Sequence, residues 1–388
     1  GGQAGTRLRQ ALVAAQFALA IAFMIGTGVL FAQMQHLRST DLGFEREGLL
    51  LIRSMSWADD ETQRRAIVAR MAAIPSVRSA SISDSVPGGS DTNNVDSFSE
   101  NGSPPISMRR VAIGPEFFET YGAQLLAGRF LGEEYGLDDA TDRKWEEPRN
   151  VVINALLLRT LGYTDPADAI GRQIGHGAPP WTIVGVVNDM RFLSPREPID
   201  PTYYTYYEDP RYGPMTLRFK GDPKVTQDAA REAWISVAGD LPFEAETGVE
   251  SLRDQYAEDE RAARLFAIGA GLAVLIGMVG LWGLASFNTA RRVREIGIRK
   301  TLGATQGDIV RLLVRQFLQP VVIANLIAWP LAWAAMSSWL AGFDDRIALS
   351  PLYFLAAGLL AALIAGLTVL GQSLRAARAS PAWALRHD

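Results

Sequence analysis

Four long apolar stretches constrain this chain more than any other feature. Ala11 to Ala32 contains no charged residue, and neither does Leu265 to Thr289. A third stretch runs from about Leu312 to Gly342, interrupted by Pro320 and Pro330 and carrying Arg315, Gln316, Gln319 and Asn325. The fourth is Pro351 to Gly371. A bilayer core of about 30 Å takes about 20 apolar residues as a helix, so each stretch predicts a membrane span. A buried core helix is rarely this long without a charge. The first two turns of the third stretch are expected at the interface, where Arg311 and Arg315 can snorkel. The first stretch does not read as a cleavable signal peptide. It exceeds the usual 7–15 residue apolar region of one, and no small-x-small site precedes His36.

The charges between the spans predict an orientation. Arg7 and Arg9 precede the first span, seven basic residues from Arg291 to Arg315 lie around the joint between the second and third, and Arg375, Arg378 and Arg386 follow the fourth. Twelve basic residues thus stand against three acidic ones on one side, which by the positive-inside bias is cytoplasmic. The segment 33–264 holds 25 basic and 37 acidic residues, net -12, and is expected outside, with both termini inside. Overall the chain of 388 residues has a formal charge of -4, which offers no basic footprint for nucleic acid. It has no cysteine and three scattered histidines, so neither a disulfide framework nor a thiolate or His-rich metal site is expected.

A segment as long as 33–264 must fold. Strand signals stand at Leu49–Arg53 and Val77–Ser83, with an amphipathic helix from about Asp60 to Ala73 between them. Val86 to Pro105 reads as a loop. A strand at Met108–Ile113 leads to a short helix at Pro115–Tyr121. A second unit is expected from Asn150, with strands at Val151–Ile153, Trp181–Val187, Tyr203–Tyr207 and Met215–Phe219. Asn154 is placed to cap a helix reaching about Leu161, and Thr226–Ala238 reads as another helix. Ser251–Arg264 is polar and helical and is expected to run straight into the second span. The fold class predicted is therefore an α-helical four-span transmembrane domain with a large inserted α+β domain, its two subdomains split near 130–150.

No active-site motif is present. The chain has no GxxxxGK[ST], HExxH, GxSxG or CxxC. The acids Glu133, Glu134, Asp138, Asp139 and Asp142 read as solvated loop residues rather than a Ca²⁺ site. Tyr203, Tyr204, Tyr206 and Tyr207, at strand spacing, are expected to line one core face and one exposed face. Asn101-Gly102-Ser103 matches a glycosylation sequon.

The joint after the second span is the most informative stretch. Read as a helix, residues 291–304 place Val293 with Ile296 on one side and Ile298 with Leu302 on the other, with Arg and Lys between. One apolar stripe suffices to lie on lipid; a second suits docking in a protein groove. Gly303 is expected to end the helix as a left-handed cap, and Asp308 to open the next. On spacing alone, a plain positive-inside anchor fits as well.

The string Arg294-Glu295-Ile296-Gly297-Ile298-Arg299-Lys300-Thr301-Leu302-Gly303-Ala304 closely resembles the signature of FtsX-like permeases, the membrane subunits of MacB-type ABC transporters. WTIVGVVNDMRFLSPREPIDPTYY resembles that family's periplasmic core, and SPAWALRHD its usual ending. The resemblance implies a MacB-like periplasmic core domain at 33–264 and spans at 11–32, 265–289, 312–342 and 351–371. Residues 1–10, 290–311 and 372–388 are then cytoplasmic, and 343–350 is a short periplasmic loop. It also implies an inner-membrane permease, not an enzyme, that couples ATP hydrolysis to export or release of a substrate by mechanotransmission. ATPase-coupling residues are then Arg294, Glu295, Ile296, Gly297, Ile298, Arg299, Lys300, Leu302, Gly303 and Ala304. The implied partners are a cytoplasmic ABC ATPase dimer carrying ATP and Mg²⁺, a second permease half or second copy of the chain, and a periplasmic adaptor. No cofactor is expected on this chain. Residue 1 is Gly, and TRLRQALVAAQFALA resembles the second half of duplicated eight-span members, so the chain is expected to be processed or part of something longer. The alternatives are a membrane-anchored signalling protein and a regulator of periplasmic cell-wall hydrolases. A secondary transporter is disfavoured, because the spans lack intramembrane acids and inverted repeats.

Overall fold

The computed structural model describes residues 2–89, 94–98, 105–144, 147–174, 181–194, 196–291, 298–299 and 302–378. The chain forms two compact units, one of residues 1–39 with 257–388 and one of Thr40–Tyr256.

The chain opens with helix α1 (Gly2–Ser39) and then enters the second unit. Strand β1 (Leu49–Ile52), helix α2 (Glu61–Ala72) and strand β2 (Val77–Ile82) follow at the predicted places. The side chain of Asp60 accepts the Gln63 N–H and starts α2. Near the other end of the unit come β10 (Met215–Phe219), α6 (Pro223–Val237) and β11 (Ala245–Thr247). These strands form one sheet in the order β11-β1-β10-β2, every neighbouring pair antiparallel. β1 and β2 are thus parallel with β10 between them, a split β-α-β arrangement of ferredoxin-like order. α2 and α6 cover one face, burying Ile67, Met71 and Trp234 against Leu50, Ile52, Met215 and Leu217. The Trp234 indole N–H donates to the Leu241 carbonyl at 2.9 Å, so the ring is buried without an orphan donor.

A second, seven-stranded sheet lies between β2 and β10 in the chain. Its strands are β3 (Val95–Phe98), β4 (Ile106–Ile113), β5 (Leu125–Gly128), β6 (Asn150–Asn154), β7 (Gln173–Ile174), β8 (Trp181–Val187) and β9 (Thr202–Tyr206). The order is β3-β4-β9-β6-β8-β5, with β7 pairing β8. This differs from the expected division near 130–150. Those residues connect β5 to β6 within one sheet, and the second subdomain is an insertion rather than a sequel. Strand order is set by pairings between distant segments, which local patterning does not reveal. Asn154 caps α4 (Ala155–Thr160) as expected, accepting from the Leu157 N–H. With α5 (Pro166–Ala169), α4 covers a core of Val151, Ile153, Ile183, Trp181 and Tyr203. β9 is buried at all five positions. The exposed tyrosine face expected there does not exist: Tyr203 stacks near Trp181 at 5.2 Å, and Tyr204 meets Phe118 on the other face at 5.3 Å.

The two sheets meet through α3 (Phe117–Tyr121), in which Phe117, Phe118, Thr120 and Tyr121 are buried. Tyr121 packs on Phe117 at 4.9 Å and Phe192 at 4.8 Å, and Phe117 and Phe118 both reach Tyr204. On the side of the four-stranded sheet, the Tyr121 hydroxyl bonds the Thr216 hydroxyl at 2.8 Å and Thr120 bonds Ser79 at 2.9 Å. Beside α3, Glu116 takes a left-handed conformation (φ 57°) and its carboxylate accepts the Ala80 N–H of β2.

The membrane unit is four helices: α1, α7 (Gly248–Arg291), α8 (Gln306–Leu340) and α9 (Pro351–Arg378). All four are long and apolar enough to cross a bilayer, over Leu8–Ser39, Gln255–Phe287, Gln306–Leu340 and Pro351–Gly371. α7 is one helix from Gly248 through the span, as expected. α8 starts six residues before the predicted span, and Pro320 and Pro330 sit inside it without ending it. α1 buries Ile21, Ile25 and Val29 in a core shared with Ala324, Ala328 and Ala332 of α8 and Ala357, Ala361 and Ala365 of α9. Small residues at four-residue spacing let these backbones approach closely. A Cβ on Gly277 of α7 would meet the Phe17 ring of α1 at 3.3 Å, and one on Gly358 of α9 would meet Asn325 of α8 at 2.3 Å. These two glycines therefore pack within the chain. Gln33 of α1 is fully buried and donates to the Asp345 carbonyl at 2.8 Å while accepting the Ile347 N–H at 2.9 Å. It pins the loop between α8 and α9, and His36 adds a 2.7 Å contact to Asp345.

Asp84, just past β2, ties the two sheets together. Its carboxylate accepts the Ala112 N–H and an Asn94 N–H, each at 2.9 Å. Burial nevertheless dominates these hydrogen bonds and pushes its carboxyl up to about 6. Its native pKa therefore exceeds the unfolded value of about 3.8. The contribution of the protonated form is fully present below that value and is lost as pH rises through about 6. The thermal stability of the Thr40–Tyr256 unit, followed by near-UV circular dichroism of the whole chain, should fall between pH 4 and 6.5 by an amount equivalent to about 3 kcal/mol at most. Asp84→Asn should flatten that slope, and an unchanged slope in the variant would contradict the assignment.

Candidate functional site

Ile298 and Arg299 are helical, and the Leu302 N–H donates to the Ile298 carbonyl at 3.1 Å. The Ala304 N–H then donates to the Arg299 carbonyl at 3.0 Å across Gly303, whose φ is +96°. That six-to-one bond over a left-handed glycine is a Schellman stop, so Gly303 ends the turn as its sequence position suggests. A new helix begins two residues later. The Thr305 hydroxyl accepts the Asp308 N–H at 3.2 Å, and the Asp308 carboxylate accepts the Thr305 N–H at 3.0 Å. The reciprocal pair is a capping box. The sequence suggests Asp308 as the opening of α8; Asp308 is the third residue of the helix, and Thr305 is the cap. The T-x-x-D spacing carried that signal.

A helix stop followed at once by a helix start fixes what the segment presents. Ala304 packs against the membrane core, while Ile298 is 47% and Leu302 82% exposed. Being four residues apart, these two side chains share one face. Of the coupling residues inferred from sequence, Ile298, Arg299, Leu302, Gly303 and Ala304 are seen here. Arg294, Glu295, Ile296, Gly297 and Lys300 lie outside the described residues, as do Val293 and the sequon at Asn101. The exposed apolar pair stands where the sequence placed the second stripe, next to a turn bounded by Gly303 and Thr305.

The other sequence candidates resolve differently. Asp138 is fully buried and takes both Arg129 guanidinium nitrogens, at 2.5 and 3.0 Å, with further donors from Gly132 and Asn150. It is the anchor of the β5–β6 connection, not a solvated loop acid. Asp139 accepts from the Thr141 hydroxyl and from the Thr141 and Glu208 N–H groups. Glu133 and Glu134 are exposed. Among the described residues no three His, Asp or Glu side chains converge as metal ligands.

The chain matches the family model of the MacB-like periplasmic core domain over residues 11–236, more than half its length, and that of the FtsX-like permease C-terminal over residues 267–381. The chain belongs to the MacB-like family of ABC transporter permeases. The family's macrolide export ATP-binding/permease protein MacB from Rhodopseudomonas palustris (strain BisB18) is 27% identical over 290 residues, covering 71% of this chain and 42% of that protein. The uncharacterized ABC transporter permease YknZ of Bacillus subtilis (strain 168) is 30% identical over 123 residues, covering 31% of this chain and 30% of its own length. The chain thus spans less than half the length of these curated relatives. Among solved structures, the periplasmic region of MacB from Actinobacillus actinomycetemcomitans aligns with 94% of its chain and 56% of this one, at 16% identity and a TM-score of 0.37. Four apolar helices with a periplasmic-type α+β domain suit a protein of the inner membrane.

No side chain or backbone crowds the Cα of Gly303, so the cost of replacing it is purely conformational. A non-glycine residue held left-handed costs about 1–2 kcal/mol. Gly303→Val should therefore raise hydrogen exchange of the Ala304 amide by roughly 5- to 30-fold in the intact chain. Gly307→Ala, two residues into α8, should leave it unchanged, and equal effects from both would deny Gly303 its special role.

Proposed function

We propose that this chain is the transmembrane subunit of a MacB-type ABC transporter, and that segment 291–304 is where a separate cytoplasmic ATPase dimer docks. The observation that carries this reading is the exposed Ile298 and Leu302 pair set directly before the Gly303 stop, which Ala304 seats on the membrane core. A lone anchor on lipid has no use for a reciprocally capped hinge directly behind its apolar face. A partner groove does: it needs the face presented at a fixed angle to the helix that follows. ATP and Mg²⁺ reside on the ATPase, since this sequence holds no phosphate-binding loop. ATP binding brings two permease halves, fused or as two copies, together. The motion enters α7, whose single helix runs from the joint side to Gly248, and alters the outside domain. Substrate is then exported or released on the periplasmic side, with an adaptor as a further partner. Small residues fill the helix contacts, which suits a bundle whose helices shift against one another.

Two experiments test this. Ile298→Asp, Leu302→Asp, Gly297→Trp and Glu295→Lys should each reduce co-purification of the ATPase ten- to hundredfold, because an apolar groove contact is worth about 1–3 kcal/mol. Membrane yield should stay normal. Normal ATPase capture and transport by all four would leave the segment as a membrane anchor.

Single cysteines placed in this cysteine-free chain report orientation. Asp240→Cys, on the exposed rim of the α6 end, should react with an impermeant thiol reagent in whole cells, and Thr305→Cys should not. The reverse pattern would put the joint outside and abolish the proposed docking.

A further inference from the structure

A cavity of about 310 Å³ lies inside the outside unit, between α2, the edge strand β2 and the turn from β9 to β10. That volume is at the lower end of what small organic ligands occupy. Its wall is apolar: Val68 from α2, Ala80 and Ile82 from β2, and Met215 from β10. Its rim carries Glu133, Glu208 and Asp209. Asp209 is neutralised, because the buried Arg64 guanidinium donates to it at 2.9 Å and so clamps the turn onto α2. Arg65, also at the rim, is held by Glu61 at 2.9 Å. Glu133 and Glu208 make no ion pair among the described residues. Their field is felt nearby: burial first, and then Glu133, Asp139, Glu208 and Glu134, push the Tyr206 hydroxyl up to about 12.

The cavity is not a place for an added strand. β2 is an edge strand, but its Ala80 N–H is already taken by the Glu116 carboxylate, and its Ile82 carbonyl by the Gly114 N–H. Glu116 accepts a left-handed backbone to make that bond, the one non-glycine residue with positive φ among those described. What is left open is an apolar wall with two exposed carboxylates at its mouth that make no ion pair among the described residues.

We propose that this cavity binds a small amphiphilic organic cation, its apolar body on Val68, Ala80, Ile82 and Met215 and its charged end at Glu133 and Glu208. An anion of the same bulk is rejected by the same carboxylates, and a neutral molecule gains only the apolar part. The site is independent of the ATPase docking proposed above, because it is read as binding alone.

The test uses the full chain in lipid nanodiscs, with empty nanodiscs subtracting lipid uptake. Equilibrium dialysis compares benzyltriethylammonium with 4-ethylbenzenesulfonate, a similar aromatic body of opposite charge. The cation should bind at one per chain and weaken as salt is raised. Glu133→Gln with Glu208→Gln, both exposed positions, should weaken it tenfold or more. Val68→Phe, which fills the cavity from the half-exposed side of α2, should weaken it with the carboxylates intact. Unchanged thermal unfolding of both variants shows that folding is not the cause; if either unfolds, Val68→Ile and Glu133→Gln alone take their place. Equal binding of the sulfonate, binding that ignores both the charge and the filling variants, or no binding above empty nanodiscs would each overturn the proposal.

Discussion

The α+β unit depends on the aromatic contact made by a single turn and a half of helix. α3 is only five residues long, far too short to be stable alone. It persists because both of its sides are buried at once, Tyr121 and Thr120 against hydroxyls of the four-stranded sheet and Phe117 and Phe118 against Tyr204 of the other. Ring pairs of this kind add about 0.5–1.5 kcal/mol each beyond their buried area. Burial keeps the Tyr121 hydroxyl protonated far above the usual tyrosine range, so it stays a neutral hydrogen-bonding partner to Thr216. Without this wedge the two sheets would lose the aromatic part of their contact and keep polar ties such as the seam around Asp84 and Ala112.

In the membrane unit the organising constraint is the reverse, an absence of bulk. Alanines of α8 and α9 line the core around α1, and glycines of α7 and α9 face the side chains of neighbouring helices. Lipid offers no hydrophobic drive to bring helices together, so close packing and a few hydrogen bonds must do it. Gln33 supplies such bonds at one end of the bundle, where it holds the loop from α8 to α9 by that loop's own backbone. At the joint side, Ala304 keeps the Gly303 stop seated on the same core.

Much of this was legible in the sequence, for reasons that can be assigned. The runs Trp181–Val187 and Met215–Phe219 match β8 and β10 at both ends, because β-branched and apolar residues stand between clear breakers. Asp60, Asn154 and Gly303 act where their chemistry suggests. β3, β5, β7 and β11 were not legible: each has four residues or fewer, and each exists through its partner rather than its own pattern. Tyr203 and Tyr204 alternate as a half-exposed strand should, but both faces of β9 are covered by elements remote in sequence. The apolar pair of the candidate site could be read directly. The T-x-x-D spacing marks Thr305 and not Asp308 as the cap, since a cap stands three places before its acidic partner.

The placement of one sheet inside another also has a temporal side. Ile82 pairs with Met215, so β2 cannot find its neighbour until the whole inserted sheet has been made. Loop closure by a disordered chain of that length is costly at the outset and grows only slowly with further length. Every strand of the inserted sheet is complete by Tyr206, before β10 begins. During synthesis that sheet can form first, and once formed it replaces a long floppy loop with a short, rigid one whose two ends emerge beside each other. The four-stranded sheet is then the last to close, drawing β10 between strands that have waited for it.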